Sequence, residues 1–368
     1  MRKLGVRCQD LSRIYAAGAF GTYVDATSAV KPGQANRLAV RVLNPTYEPI
    51  DGIALKQTPS GAKQYPVATN SAYNCGGILD AVELLLAPAV RIEAAAVAAL
   101  ATLGIDVEEI DRWNCCGAVF SLTADDLIHQ VGPVRNLVRA KEKGAAQLVT
   151  LCSMCYNTLA RANRIMRDDA VKRDTINRFM DEEIDYAGEV EVVHMLTFLE
   201  REVGWQKIRE KVRVPLEGLR VAPYYGCTLQ RPADVGIEPF GSFHLMTGLL
   251  EALGATVTPF AAADTCCGSY QVLNGEAGAR STAAVILDNA ASSGAEALAT
   301  SCPLCEYNLG KQQGRLLEAR QITTAVPTFY FTQLLAVALG VAPQSCLFDL
   351  NDAGSLHLLN TKHSLVAA

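Results

Sequence analysis

Short apolar runs rich in β-branched and aromatic residues alternate along this chain with longer stretches whose apolar residues recur at helical spacing. VAPYYGC (221–227) reads as a strand delivering Cys227, FHLMTGLLEALG (243–254) as a helix closed by Gly254, and ATVTPF (255–260) as a strand running toward Cys266 and Cys267. A helix over Ser281–Ala291 then leads through Gly294 to a strand at Glu296–Thr300, which delivers Cys302 and Cys305.

The same order occurs earlier in the chain. A helix over Arg91–Leu103, Gly104 and the strand IDVEEI precede Cys115 and Cys116; a helix near Val134–Lys143, Gly144 and the strand AQLVTL precede Cys152 and Cys155. The strand expected ahead of Cys75 has the weakest pattern. Strand, helix, strand, helix, strand predicts an α/β fold of two pseudo-symmetric, Rossmann-like halves, each a short parallel sheet flanked by helices. The cysteines then lie just beyond the carboxyl ends of the strands, the edge at which open α/β sheets bind ligands.

The repetition is quantitative. Cys75, Cys115, Cys116, Cys152 and Cys155 correspond to Cys227, Cys266, Cys267, Cys302 and Cys305, with offsets by subtraction of 152, 151, 151, 150 and 150 residues. An internal duplication explains this register. Flanking residues agree: NCCGAV against TCCGSY, AYNC against YYGC, and LCSMCYNTLA against SCPLCEYNLG, where an aromatic, Asn and Leu follow each C-x-x-C. VVHMLTFLE (192–200) against PTFYFTQLL (327–335) is a looser match. The organisation predicted is an N-terminal extension over 1–65, a first repeat over 66–215, a second over 216–342 and a C-terminal tail over 343–368.

Composition narrows the chemistry. The chain has 368 residues, half of them hydrophobic, and a formal net charge of −5 with scattered basic residues, which argues for a folded protein that does not bind nucleic acid. The longest apolar stretches, Ala94–Leu103 and Phe329–Ala342, are shorter than the roughly 20 residues of a membrane-spanning helix. Charged residues interrupt the first 20 positions, so no secretory signal is expected and the cytoplasm is the expected location. In a reducing compartment, the 12 cysteines are more often metal ligands or redox centres than structural disulfides.

Zinc fits poorly, because structural zinc takes four ligands and neither half has a second C-x-x-C or a paired H-x-x-x-H. A thioredoxin-like site would use one C-x-x-C and leave Cys115 and Cys116 unexplained. Buried thiols account for single cysteines such as Cys8 and Cys346, but not for two matched sets of five. Iron–sulfur ligation uses thiolates and accommodates more than four of them over several irons.

One Cys, a Cys-Cys-Gly some 40 residues later and a C-x-x-C about 35 residues beyond, all duplicated, resemble the cysteine-rich CCG-domain family, whose best-known member is the B-type polypeptide of heterodisulfide reductase. The resemblance covers about Ala72–Gly340. It implies that each half binds a noncubane [4Fe–4S] cluster through its five cysteines, the two facing one another at the interface of the halves and cleaving a disulfide reductively, or forming one in reverse. The ligands implied are Cys75, Cys115, Cys116, Cys152 and Cys155 for one cluster, and Cys227, Cys266, Cys267, Cys302 and Cys305 for the other.

The partners implied are a ferredoxin-like subunit of the C type carrying [4Fe–4S] clusters, a flavin-containing subunit of the A type, and a small-molecule disulfide or thiol. Related domains also relay electrons in succinate or fumarate oxidoreductases, in glycolate or lactate oxidising enzymes and in sulfur-oxidising complexes. The ferredoxin run C-x-x-C-x-x-C-x-x-x-C-P does not occur in the sequence, which is why a separate ferredoxin-like subunit is expected.

Around the ligands, Gly117, Gly226 and Gly268 would let backbone approach the sulfurs or simply form turns. Trp113 would shield a cluster or pack in the core. His194 is a candidate proton donor, weighed against a hydrogen-bonded core histidine. The stretch from Asn36 to Pro66 has strand-like alternation suited to a hairpin or a partner-binding extension.

Overall fold

The computed structural model describes residues 64–68, 79–110, 112–116, 127–269, 271 and 276–363. Two four-stranded parallel sheets carry the chain. The first half contains β1 (Gln64–Ala68), α1 (Leu79–Leu103), β2 (Asp106–Glu109), α2 (Val131–Glu142), β3 (Gln147–Thr150), α3 (Ser153–Asp168), α4 (Ala170–Phe179), β4 (Glu191–His194), α5 (Met195–Phe198) and α6 (Trp205–Lys211). The second contains β5 (Arg220–Pro223), α7 (His244–Ala252), β6 (Thr256–Val257), α8 (Glu276–Ser292), β7 (Ala297–Thr300), α9 (Pro303–Glu306), α10 (Gln313–Glu318), β8 (Thr328–Tyr330) and α11 (Phe331–Ala338), followed by α12 (Ala353–His363).

The strand orders are β2-β1-β3-β4 and β6-β5-β7-β8, so the two halves share one topology. In each half the chain runs first to one side of its opening strand and then to the other. This puts a topological switch point between β1 and β3, and another between β5 and β7. The fold class expected from the sequence is therefore the one observed.

The central strands are short and their middle residues apolar because helices cover both faces: Leu148 and Val149 of β3, and Ala297, Leu298 and Ala299 of β7, are all fully buried. The first helix of each half ends on a glycine in the left-handed region, Gly104 at φ +78° and Gly254 at φ +87°, where a side chain would be strained.

The looser repeat match also has a structural counterpart. VVH and TFY lie in β4 and β8, the fourth strands, in the same register: Thr150 pairs with His194, and Thr300 with Tyr330. The strand ahead of Cys75 begins at Gln64, so the end of the expected extension is the opening strand of the first sheet, paired with both β2 and β3.

Three apolar clusters hold the halves. One belongs to both: Ile92, Ala96, Ala99 and Leu100, at helical spacing on α1, meet Phe331, Leu334 and Leu335 of α11, with Leu196, Leu245 and Leu249 alongside. Thr332 Oγ1 donates to the Ile92 carbonyl at 3.0 Å inside this seam. The second cluster lies on the outer face of the first half, around Val134, Leu137 and Leu159, and the third in the second half, around Ile286, Leu287 and Leu298. The third also takes in Cys115 and Met154 from the first half.

The C-terminal segment is more than an appended tail. Cys346, Phe348 and Leu359 are buried in the shared cluster, and Gln333 Nε2 donates to the Cys346 carbonyl at 3.2 Å and to Asn351 Oδ1 at 2.9 Å. Among the described residues no helix is long and apolar enough to cross a membrane.

Candidate functional site

The cysteines leave the strands at the carboxyl edges. Cys115 and Cys116 follow β2, Cys152 is the residue before α3, and Cys155 lies in its first turn; Cys266 and Cys267 follow β6, Cys302 is the residue before α9, and Cys305 lies within it. Cys227 follows β5 directly after Gly226. Cys75 and Gly117, like Cys8 and the stretch 36–63, lie outside the described residues.

The thiols meet in pairs. Cys116 lies against Cys115 and Cys155. Cys267 Sγ is 3.5 Å from Cys305 Sγ, and Cys227 lies against Cys266. Cys152 is in contact with Cys302, so the C-x-x-C of one half touches the C-x-x-C of the other. A backbone hydrogen bond from Ser153 N to the Ser301 carbonyl, 3.3 Å, closes the same junction.

Hydrogen bonds with Cys115 and Cys155, together with burial, push Cys116 well above the ordinary thiol range. Hydrogen bonds from Cys152 and Cys305 hold Cys302 well below it. Cys266 is brought down to about 6, chiefly by Cys227 and with help from the Gly268 backbone N–H. Cys115, Cys116, Cys155, Cys267, Cys302 and Cys305 are buried, whereas Cys266 is exposed, so the second site opens to solvent where its equivalent in the first half, Cys115, is covered.

Among the described residues no three His, Cys, Asp or Glu side chains converge as ligands of a single ion. A polynuclear sulfur-held group fits the donors better, on three observations. The donor set is sulfur alone. Two thiolates on one tetrahedral metal, with bonds of about 2.3 Å, stand roughly 3.8 Å apart, close to the 3.5 Å between Cys267 and Cys305. Four buried hydroxyls next to the cysteines, those of Thr150, Ser269, Ser301 and Tyr330, find no acceptor among the described residues. An unpaired buried hydroxyl costs about 1–3 kcal/mol, which inorganic sulfide acceptors between the pairs would relieve.

The supporting residues are a mixture of expected and unexpected. Gly226, at φ +63°, lies under Cys305, where a Cβ would come within 3.3 Å of the sulfur. Gly268 is a packing glycine: a Cβ there would lie 2.8 Å from Ala279 of α8, while its N–H serves Cys266. Trp113 is half-buried against the first-half core that includes Cys116. His194 is fully buried, with Nε2 3.1 Å from the Leu151 carbonyl and Nδ1 accepting from Leu196 N at 3.3 Å. Burial lowers its pKa to about 3, so the ring is neutral and both nitrogens serve the backbone.

Sequence reasoning missed Arg91, Glu306, Asn308 and Tyr330. Asn308 Nδ2 donates to the carbonyls of Cys267 and Ser269, at 3.1 and 2.9 Å, and so braces the Cys-Cys loop. Arg91 of α1 reaches across the seam to Glu306, with Nη2 2.7 Å from Oε2 and both side chains nearly inaccessible. The available signal was the one-residue displacement of Tyr-Asn in CEYNL relative to CYNTL, which puts Glu306 where the first half has Tyr156.

The two sheets of one topology, each with a cysteine set at its switch point, have their counterpart among known proteins. The family CCG, cysteine-rich domain, matches residues 85–160 and 221–310. The membrane anchor of the 8-methylmenaquinol:fumarate reductase of Wolinella succinogenes is 35% identical over 65% of this chain and 83% of its own length. This chain belongs to the cysteine-rich CCG family. Its CCG repeats are also similar to the B-type polypeptide of the ferredoxin:CoB-CoM heterodisulfide reductase of Methanosarcina mazei, 26% identical over 73% of this chain and 90% of that one, and to the ferredoxin/F(420)H(2)-dependent counterpart from Methanosarcina acetivorans, 28% identical over the same shares.

A crystal structure of a hypothetical protein from Helicobacter pylori shares the fold, with a TM-score of 0.61 and 13% identity over 88% of this chain and 58% of that one. The relatives are components of reductases, and this CCG protein is of the oxidoreductase-subunit class.

Proposed function

We propose that this CCG protein is the iron–sulfur electron-transfer subunit of a heterodisulfide reductase-like complex, reductively cleaving a disulfide at two noncubane [4Fe–4S] sites. Cys75, Cys115, Cys116, Cys152 and Cys155 would hold one group, and Cys227, Cys266, Cys267, Cys302 and Cys305 the other. The observation that carries the reading is the contact between Cys152 and Cys302, which makes two separate thiol sets one continuous sulfur-lined junction. Iron–sulfur groups supply one-electron steps when bound, and a disulfide that takes up two electrons and two protons leaves as two thiols.

The chain itself does the rest. Its buried cysteines exclude water from the junction, the Arg91–Glu306 pair ties the halves together beside it, and the exposed Cys266 leaves one side open to a small molecule. A ferredoxin-like subunit of the C type would deliver the electrons, taking them from a flavin-containing subunit of the A type. All ten described cysteines are free thiols, which supports a reducing, cytoplasmic setting.

The 35% identity to a component of a fumarate reductase favours a second reading, in which the same two sites only relay electrons. Iron, acid-labile sulfide and zinc content of the anaerobically purified chain, followed by EPR after oxidation with and without added thiol, separates the readings. About eight irons per chain and a thiol-dependent signal are expected for disulfide chemistry; about eight irons with a thiol-indifferent signal would mean relay. Zinc without iron would overturn both.

A further inference from the structure

The two halves carry different chemistry at two equivalent positions. In the first, Tyr156 and His194 stack edge to face with centroids 5.9 Å apart, and the His194 nitrogens are spent on backbone. In the second, the same positions are Glu306 and Tyr330.

Tyr330 is fully buried at the carboxyl end of β8, opposite Thr300 and therefore two residues along the neighbouring strand from Cys302. Its ring lies under the Arg91 guanidinium, 5.6 Å from centroid to Cζ, which fixes the ring against the seam. Its side chain caps the first turn of α11 at the Gln333 backbone N–H, but its hydroxyl proton has no acceptor among the described residues, and the ring is close enough to Glu306, Cys302 and Cys152 to feel their charges. Tyr224 makes the contrast. It lies among Cys267, Cys305, Cys227 and Cys266, but its hydroxyl proton is already given to the Thr265 carbonyl at 2.6 Å.

We infer that the Tyr330 hydroxyl is a positioning donor for the group held by the second cysteine set, giving its hydrogen bond to a sulfur of that group on the Cys302 side and making the two sites electronically unequal. The inference rests on the iron–sulfur reading above. A hydrogen bond to a sulfur stabilises the more negative, reduced state and raises the reduction potential. At the equivalent position of the first half His194 takes that place, with its one N–H directed at the Leu151 carbonyl.

The test is an EPR-monitored redox titration of the iron-loaded full chain, comparing wild type with Tyr330→Phe and Tyr224→Phe, together with resonance Raman spectra in H2O and D2O. Tyr330→Phe is expected to keep its iron, to lower the midpoint of one signal by about tenfold in equilibrium constant, about 59 mV for one electron, and to lose a deuterium-sensitive Fe–S band. Tyr224→Phe is expected to change neither. An unchanged midpoint and unchanged Raman bands in a fully loaded Tyr330→Phe protein would overturn the inference while leaving the iron–sulfur reading intact. Absence of iron from the wild-type chain would overturn the reading itself.

Discussion

His194 and Tyr330 occupy the same place on two copies of one backbone, and their chemistry follows from what each finds there. His194 has a carbonyl on one side and a backbone N–H on the other, so burial leaves it neutral. Its folded pKa of about 3 lies below the ordinary 6.5, so the unfolded chain binds the extra proton as pH falls. The associated stability is fully present above pH 6.5 and is lost as pH drops toward 3. Anaerobic urea unfolding should show wild type losing about 2 kcal/mol more between about pH 7 and about pH 5 than His194→Gln does.

Gly226 makes a second prediction at this scale. A methyl group there would meet both a left-handed φ and the Cys305 sulfur at 3.3 Å. Gly226→Ala should therefore lower iron loading of the second half and cost about 1 kcal/mol or more, measured by metal analysis and unfolding.

Among the elements, α1 bridges the halves. Its apolar stripe packs on α11, and its buried Arg91 pairs with Glu306 at the end of α9. Removing one partner leaves an uncompensated buried charge, so Arg91→Met should destabilise by about 3–5 kcal/mol, while Arg91→Met with Glu306→Leu should recover much of that loss. A loss in the double variant equal to the sum of the losses in Arg91→Met and Glu306→Leu alone would show that the pair contributes no coupling. Helices and strands were readable here from apolar spacing and closing glycines, as α7 with Gly254 illustrates. The hold of α1 on the second half was not, because Arg91 and Glu306 are more than 200 positions apart and neither spacing nor composition joins them.

Across the whole molecule, the meeting of Cys152 and Cys302 makes the two repeats one site. Cys302→Ser and Cys152→Ser should each remove about half of the bound iron, whereas Cys346→Ser, whose sulfur is buried away from the cysteine sets, should leave iron content unchanged. Metal analysis of the three variants checks this.

The duplication and the fold class were legible in the sequence, as were the ten cysteines proposed as ligands, because ligand chemistry needs cysteine itself and a duplicated strand-helix pattern preserves register. The sequence also showed His194 as a lone histidine in an apolar run, without telling which atoms would occupy its nitrogens. Tertiary structure alone decided that the two C-x-x-C turns touch, that Cys266 is open while Cys115 is covered, and that the Tyr330 hydroxyl proton is left without an acceptor beside a buried ion pair. Local pattern records what each residue is and how its own element repeats, whereas contact, burial and hydrogen-bond satisfaction depend on how distant segments pack around it.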